Sequence, residues 1–92
     1  MKRITMITAP NCAYCKKAKY LIRRIVAKEP KYKPVHIEEI DINEADRRNL
    51  TADLFPAFYI ENEKIFEGYL TIDKLAGIMD RALRETPAET EK

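Results

Sequence analysis

An α/β domain in which a four-stranded mixed sheet is flanked by three helices, in the order βαβαββα, is the fold class this sequence predicts. Three observations predict it. Arg3 to Ala9 is rich in apolar and β-branched residues on both faces, as a strand covered on both sides would be. Directly afterwards the apolar spacing becomes helical. Later, two short apolar runs separated by a turn signal are followed by a second amphipathic stretch.

The elements follow in chain order. Ala18, Leu21, Ile22, Ile25 and Val26 fall on one helical stripe, with Lys16, Lys17, Lys19, Arg23 and Arg24 largely off it. That basic run reads as a solvated face that can also steer an acidic partner. Pro30 and Pro34 mark the helix exit. Val35 to Ile42 reads as the second strand; its alternation slips at Glu38-Glu39, which predicts a bulge or a shifted register. Asn43 is expected to cap a short helix from Glu44 to about Ala52. Ala57–Ile60 and Lys64–Glu67 read as a hairpin joined by Glu61-Asn62-Glu63, with Asn62 able to take positive φ in the turn and Gly68 ending the hairpin. Thr71 caps a last helix whose stripe is Ile72, Leu75, Ile78, Met79, Ala82 and Leu83. The first βαβ unit requires a parallel strand pair.

The 92 residues suffice for one domain, taken as residues 1–86, followed by a polar tail, 87–92, that starts at Pro87. Seventeen basic and fifteen acidic residues leave a net charge of only +2, which argues against a dedicated nucleic-acid binder. No apolar run approaches the roughly 18 residues of a membrane span. The apolar start is too short for a secretion signal and is broken by Pro10, so a cytoplasmic location is expected.

Cys12 and Cys15 carry the chemistry. In a reducing compartment such a pair is catalytic or metal-binding rather than structural. C-x-x-C between a strand and a helix is a redox signal, because only the thiolate attacks a disulfide and a helix N-terminus favours negative charge. That position makes Cys12 the expected nucleophile, with Lys16 or Lys17 adding positive charge if either folds back. Cys15, one turn on, is placed to resolve a mixed disulfide from within the chain. The same spacing is half of a zinc site, but there is no second C-x-x-C, and His36 lies in a predicted strand, so no metal is assigned. Pro56, just before a strand, is by itself an ordinary strand-start proline.

From Asn11-Cys12-Ala13-Tyr14-Cys15-Lys16-Lys17-Ala18-Lys19 the chain resembles the glutaredoxins, the glutaredoxin-like branch of the thioredoxin superfamily. Leu54-Phe55-Pro56 falls where that family carries Thr-Val-Pro with a cis proline, and Glu67-Gly68 where it carries Gly-Gly before the last helix. The resemblance covers about residues 1 to 84. It implies a thioredoxin-like fold, Cys12 as nucleophile, Cys15 as resolving thiol, and Tyr14, Phe55, Pro56, Gly68 and Thr71 around the substrate. It implies disulfide-containing client proteins, with glutathione or a thioredoxin-reductase-type flavoenzyme as electron donor, in a monomer that holds no resident cofactor.

The departures bear on the donor. Ala13 replaces the usual active-site proline, Ala9 a lysine that binds a glutathione carboxylate, Leu54 the threonine, and Glu67 a glycine. Thioredoxins are matched less closely, since their tryptophan before the first cysteine is Asn11 here. A weakened glutathione site beside an intact dithiol is the expectation. The alternative is a protein of this type holding a [2Fe–2S] cluster between two monomers, which the loss of the proline permits and the weakened glutathione site opposes.

Overall fold

The computed structural model describes residues 3–84. The expected boundary at residue 86 and the polar tail lie outside them.

The predicted architecture is present. Strand β1 (Ile4–Thr8), buried along its whole length, is central. It pairs parallel with β2 (Ile37–Asp41) and antiparallel with β3 (Ala57–Ile60), and β3 pairs antiparallel with β4 (Glu63–Glu67), giving the order β2-β1-β3-β4. Helices α1 (Ala13–Lys28), α2 (Ile42–Arg47) and α3 (Ile72–Arg84) complete it, with a 3₁₀ turn at Pro30–Tyr32.

Strand alternation sorts the core into two layers. Ile4, Met6, Phe58 and Ile60 pack with Ala18 and Ile25 of α1 and with Leu75, Met79 and Ala82 of α3. Ile7, Ile40, Ala57 and Tyr59 face the other way, onto Ala45 of α2.

Five local expectations are corrected. No bulge occurs at Glu38-Glu39: β2 runs in unbroken register against β1. The two glutamates lie on opposite faces of an edge strand, and each meets a cation there. Lys19 Nζ is 3.0 Å from Glu39, and Arg48 donates twice to Glu38, at 2.8 and 3.1 Å. The irregularity sits in the hairpin instead, between Phe58 and Tyr59, where Ile65 is the extra residue on β4. Helix α2 is capped by Asp41, whose Oδ1 accepts the Glu44 N–H at 2.8 Å, so the helix starts directly after the strand. It ends early because Asn49 turns left-handed (φ 61°), the Leu50 N–H bonds back to the Ala45 carbonyl (2.9 Å), and the Asn49 N–H bonds to that of Asp46 (3.0 Å). That is a Schellman closure with asparagine in the position usually held by glycine. In the hairpin turn Glu61, not Asn62, takes positive φ (56°). On α3 the buried stripe begins at Leu75, because Ile72 is exposed in the first turn.

Candidate redox site at one end of the sheet

The topology gathers the predicted residues at one end. Parallel pairing puts the end of β1 beside the end of β2, and antiparallel pairing puts there the start of β3 and the end of β4. The loop holding Cys12, the segment before Ala57 and the Gly68–Thr71 connection therefore share that end.

Asn11, at φ 57°, turns the chain out of β1 and delivers Cys12 to the N-cap of α1. Cys12 Sγ accepts the Cys15 N–H at 3.0 Å, so the sulfur occupies the place of a capping oxygen. Cys12 and Cys15 are joined as a disulfide, with Cα atoms 5.2 Å apart. Cys15 is buried and Cys12 is half-buried, so Cys12 is the sulfur open to a partner. Once reduced, Cys12 carries its sulfur at a helix N-terminus within reach of a main-chain donor. Both features favour thiolate over thiol.

At the same end lies the segment 51–56, which leads into β3. The Phe55–Pro56 peptide is cis. Pro56 is buried, Phe55 half-buried and Leu54 exposed. Three ties hold the segment. Tyr59 Oη accepts the Thr51 N–H (3.0 Å) and donates to the Thr51 carbonyl (2.7 Å). Glu67 Oε1 accepts the Asp53 N–H (3.1 Å). The Gly68 N–H donates to the Pro56 carbonyl (2.9 Å). Gly68 sits at φ +106°, a conformation that favours glycine, and a Cβ there would also press on Leu54 Cδ1 at 3.3 Å. Between these ties the N–H and C=O of Phe55 have no hydrogen-bond partner among the described residues.

No protein-family model matches the sequence, and no curated protein is significantly similar to it. Solved structures do match. Oxidised thioredoxin from Plasmodium falciparum superposes with a TM-score of 0.60 at 17% identity, over 85% of this chain and 77% of that one. Thioredoxin from Fasciola hepatica gives 0.57 at 17% identity, over 86% and 78%. Thioredoxin O2 from Arabidopsis thaliana, in its oxidised state, gives 0.56 at 19% identity, over 88% and 74%.

This chain has the thioredoxin fold. Identities this low carry the architecture and no finer subtype.

In this thioredoxin fold the remaining predicted residues are placed as follows. Thr71 caps α3, its Oγ1 accepting the Lys74 N–H at 3.3 Å. Tyr14, between the cysteines, is exposed and meets the Tyr69 ring edge-on at 5.2 Å. Lys17 is engaged with Tyr69: its Nζ donates to Tyr69 Oη at 3.0 Å, a bond that raises the lysine pKa above its ordinary value. Lys16 is exposed, and its main-chain N–H bonds to the Cys12 carbonyl at 3.2 Å. Neither lysine makes a side-chain contact with Cys12. Among the described residues no group of three or more His, Cys, Asp or Glu is placed to share a metal, and no helix is long and apolar enough to cross a membrane.

Sequence reasoning missed Tyr69 and Tyr59. An aromatic residue directly after the hairpin-ending Gly68 was the available signal for Tyr69. Nothing local marks Tyr59, whose partner Thr51 stands in an irregular segment.

Proposed function

We propose that the protein is a thiol–disulfide oxidoreductase that reduces disulfide-containing clients by a dithiol mechanism. The observation that carries this reading is the capped, half-buried Cys12 bridged to a buried Cys15, with the unpaired backbone of Phe55 at the same sheet end. The likeness in fold to thioredoxins supports it.

In the reduced form the Cys12 thiolate attacks one sulfur of the client disulfide. A bond forms between Cys12 and that sulfur, and the other client sulfur leaves as thiolate and takes a proton. An extended client chain can pair with the free N–H and C=O of Phe55, a single rung of strand addition. Cys15, deprotonated, then attacks Cys12, releasing the second client thiol and leaving the Cys12–Cys15 disulfide. The client gains two electrons and two protons. An external reductant restores the dithiol.

The reading extends to a cytoplasmic monomer with no resident cofactor. Its donor is better suited to a thioredoxin-reductase-type flavoenzyme than to glutathione. Ala9 stands where a lysine would give a charge-assisted bond to a glutathione carboxylate, worth about 1.5–3 kcal/mol, or roughly ten- to hundredfold in affinity.

The test is substitution of each cysteine. Cys12→Ser should abolish reduction of a protein disulfide, and Cys15→Ser should accumulate a mixed disulfide visible by mass. Full dithiol turnover by either variant would defeat the assignment. In reduced wild type, the alkylation rate of Cys12 should titrate below the value of free cysteine, about 8.5. Parallel assays with glutathione plus glutathione reductase, and with NADPH plus a thioredoxin reductase, decide the donor.

A further inference from the structure

Glu67 is used by nothing in the mechanism above, yet its carboxylate is not an ordinary surface acid. The side chain is only 24% exposed. Oε1 accepts the main-chain N–H of Asp53 at 3.1 Å and the Lys64 ammonium at 3.2 Å. The Asp53 N–H first, then Lys64, and lastly the Leu54 N–H hold its carboxyl below the usual carboxylate range. A lysine–glutamate pair at this exposure contributes little alone. A carboxylate drawing in main-chain N–H groups of a loop fixes the loop itself.

Its position gives that fixing a consequence. Gly68, the next residue, ties the Pro56 carbonyl. The C-terminal end of β4 thus grips the segment at two points, Asp53 and Pro56, leaving only Leu54 and Phe55 between them. Without the carboxylate the free span would run from Thr51 to Pro56, and a client pairing with Phe55 would have to order it on binding.

We infer that Glu67 is a positioning residue, whose carboxylate holds the 53–56 segment so that the unpaired N–H and C=O of Phe55 are set in advance for an extended client chain. The inference rests on the disulfide-reductase reading for its client, while the grip itself is a property of the fold. It assigns specificity as well: clients that present extended peptide depend on Glu67, and small disulfides without a backbone do not.

The experiment compares wild type, Glu67→Ala and Glu67→Gln, each full length and reduced by dithiothreitol. One substrate is an extended peptide with a disulfide; the other is hydroxyethyl disulfide, which has no peptide group. Glu67→Ala should raise KM for the peptide about five- to tenfold, the scale of one net hydrogen bond lost from a solvent-accessible loop, with kcat within about twofold. Kinetics on hydroxyethyl disulfide should stay unchanged. Glu67→Gln, which keeps an acceptor oxygen, should recover most of the peptide KM. Amide exchange at Asp53 should speed up in Glu67→Ala. An unchanged peptide KM, or an equal loss on both substrates, overturns the role. If wild type reduces neither substrate, the reductase reading falls, and the Asp53 exchange rate still decides the grip: faster exchange sustains it and unchanged exchange refutes it.

Discussion

The two faces of the sheet are held together by different means. On the face under α1 and α3, a continuous apolar layer runs through Ile4, Met6, Phe58, Ile60, Leu75 and Met79, all nearly inaccessible to water. On the face under the six-residue α2, the buried apolar cluster among the described residues is smaller, Ile7, Ile40, Ala45, Ala57 and Tyr59, with Leu50, Ala52 and Phe55 packed at the margin. Directional contacts supply what is missing there: Arg48 to Glu38 and Glu44, Tyr59 to Thr51, Glu67 to Asp53. The segment beside the cysteines belongs to this second face. A segment tied at a few points can present free backbone groups to a partner, which a fully packed one cannot.

The largest effect expected from this contrast is at Phe58, fully buried and 6.4 Å from the Phe66 ring. Phe58→Ala should cost about 3–5 kcal/mol, a large part of the stability of a domain this size. Phe55→Ala, half-buried on the thin face, should cost less than about 1.5 kcal/mol in denaturant unfolding while weakening peptide reduction. Equal losses would break the comparison.

Tyr32 offers a pH-dependent test of the thick face. Its hydroxyl donates to Asp80 at 2.7 Å, joining the turn after α1 to α3. Burial first, and then the Asp80 carboxylate, push its pKa up to about 12. The folded chain thus holds this proton more tightly than the unfolded chain, where tyrosine titrates near 10. The stabilisation is complete below pH about 10 and drains away as pH rises through about 12, a change of roughly 2–3 kcal/mol. Denaturant midpoints for wild type and Tyr32→Phe at pH 8 and pH 11.5 measure it. Wild type should lose its advantage over the variant at the higher pH; parallel curves would show that Tyr32 keeps its proton for no structural gain.

Much of this was legible in the sequence because its causes are local. The stripe on α1, the strand at β3, the cap at Thr71 and the C-x-x-C pair at a helix start each follow from residues within a turn or two. The misreadings have tertiary causes. Glu38-Glu39 breaks the alternation until Lys19 arrives from α1 and Arg48 from the C-cap of α2. Asp41 and Asn43 are both good caps, and only the end of β2 decides between them. Asn49 reveals itself as a helix terminator only through its left-handed φ. The ties at Asp53 and Thr51 join residues 14 and 8 apart through an irregular segment, beyond the reach of any period.

The smallest expected effect on global stability, and the sharpest test of the contrast, is Tyr59→Phe. The ring packs on the thin face and would remain. Only the hydroxyl is lost, and with it both bonds to Thr51. Because Thr51 is exposed, water can replace its partners, so the net loss should be about 0.5–1.5 kcal/mol. Its distribution matters more than its size. Amide exchange should quicken at Thr51 and through residues 50–55, where few apolar contacts oppose local opening. Ile4, Met6, Phe58 and Ile60 should keep their protection, lowered only by the global change. If protection falls uniformly across both faces, the sheet opens as one unit, and the ties to Thr51 do not hold the thin face separately from the thick one.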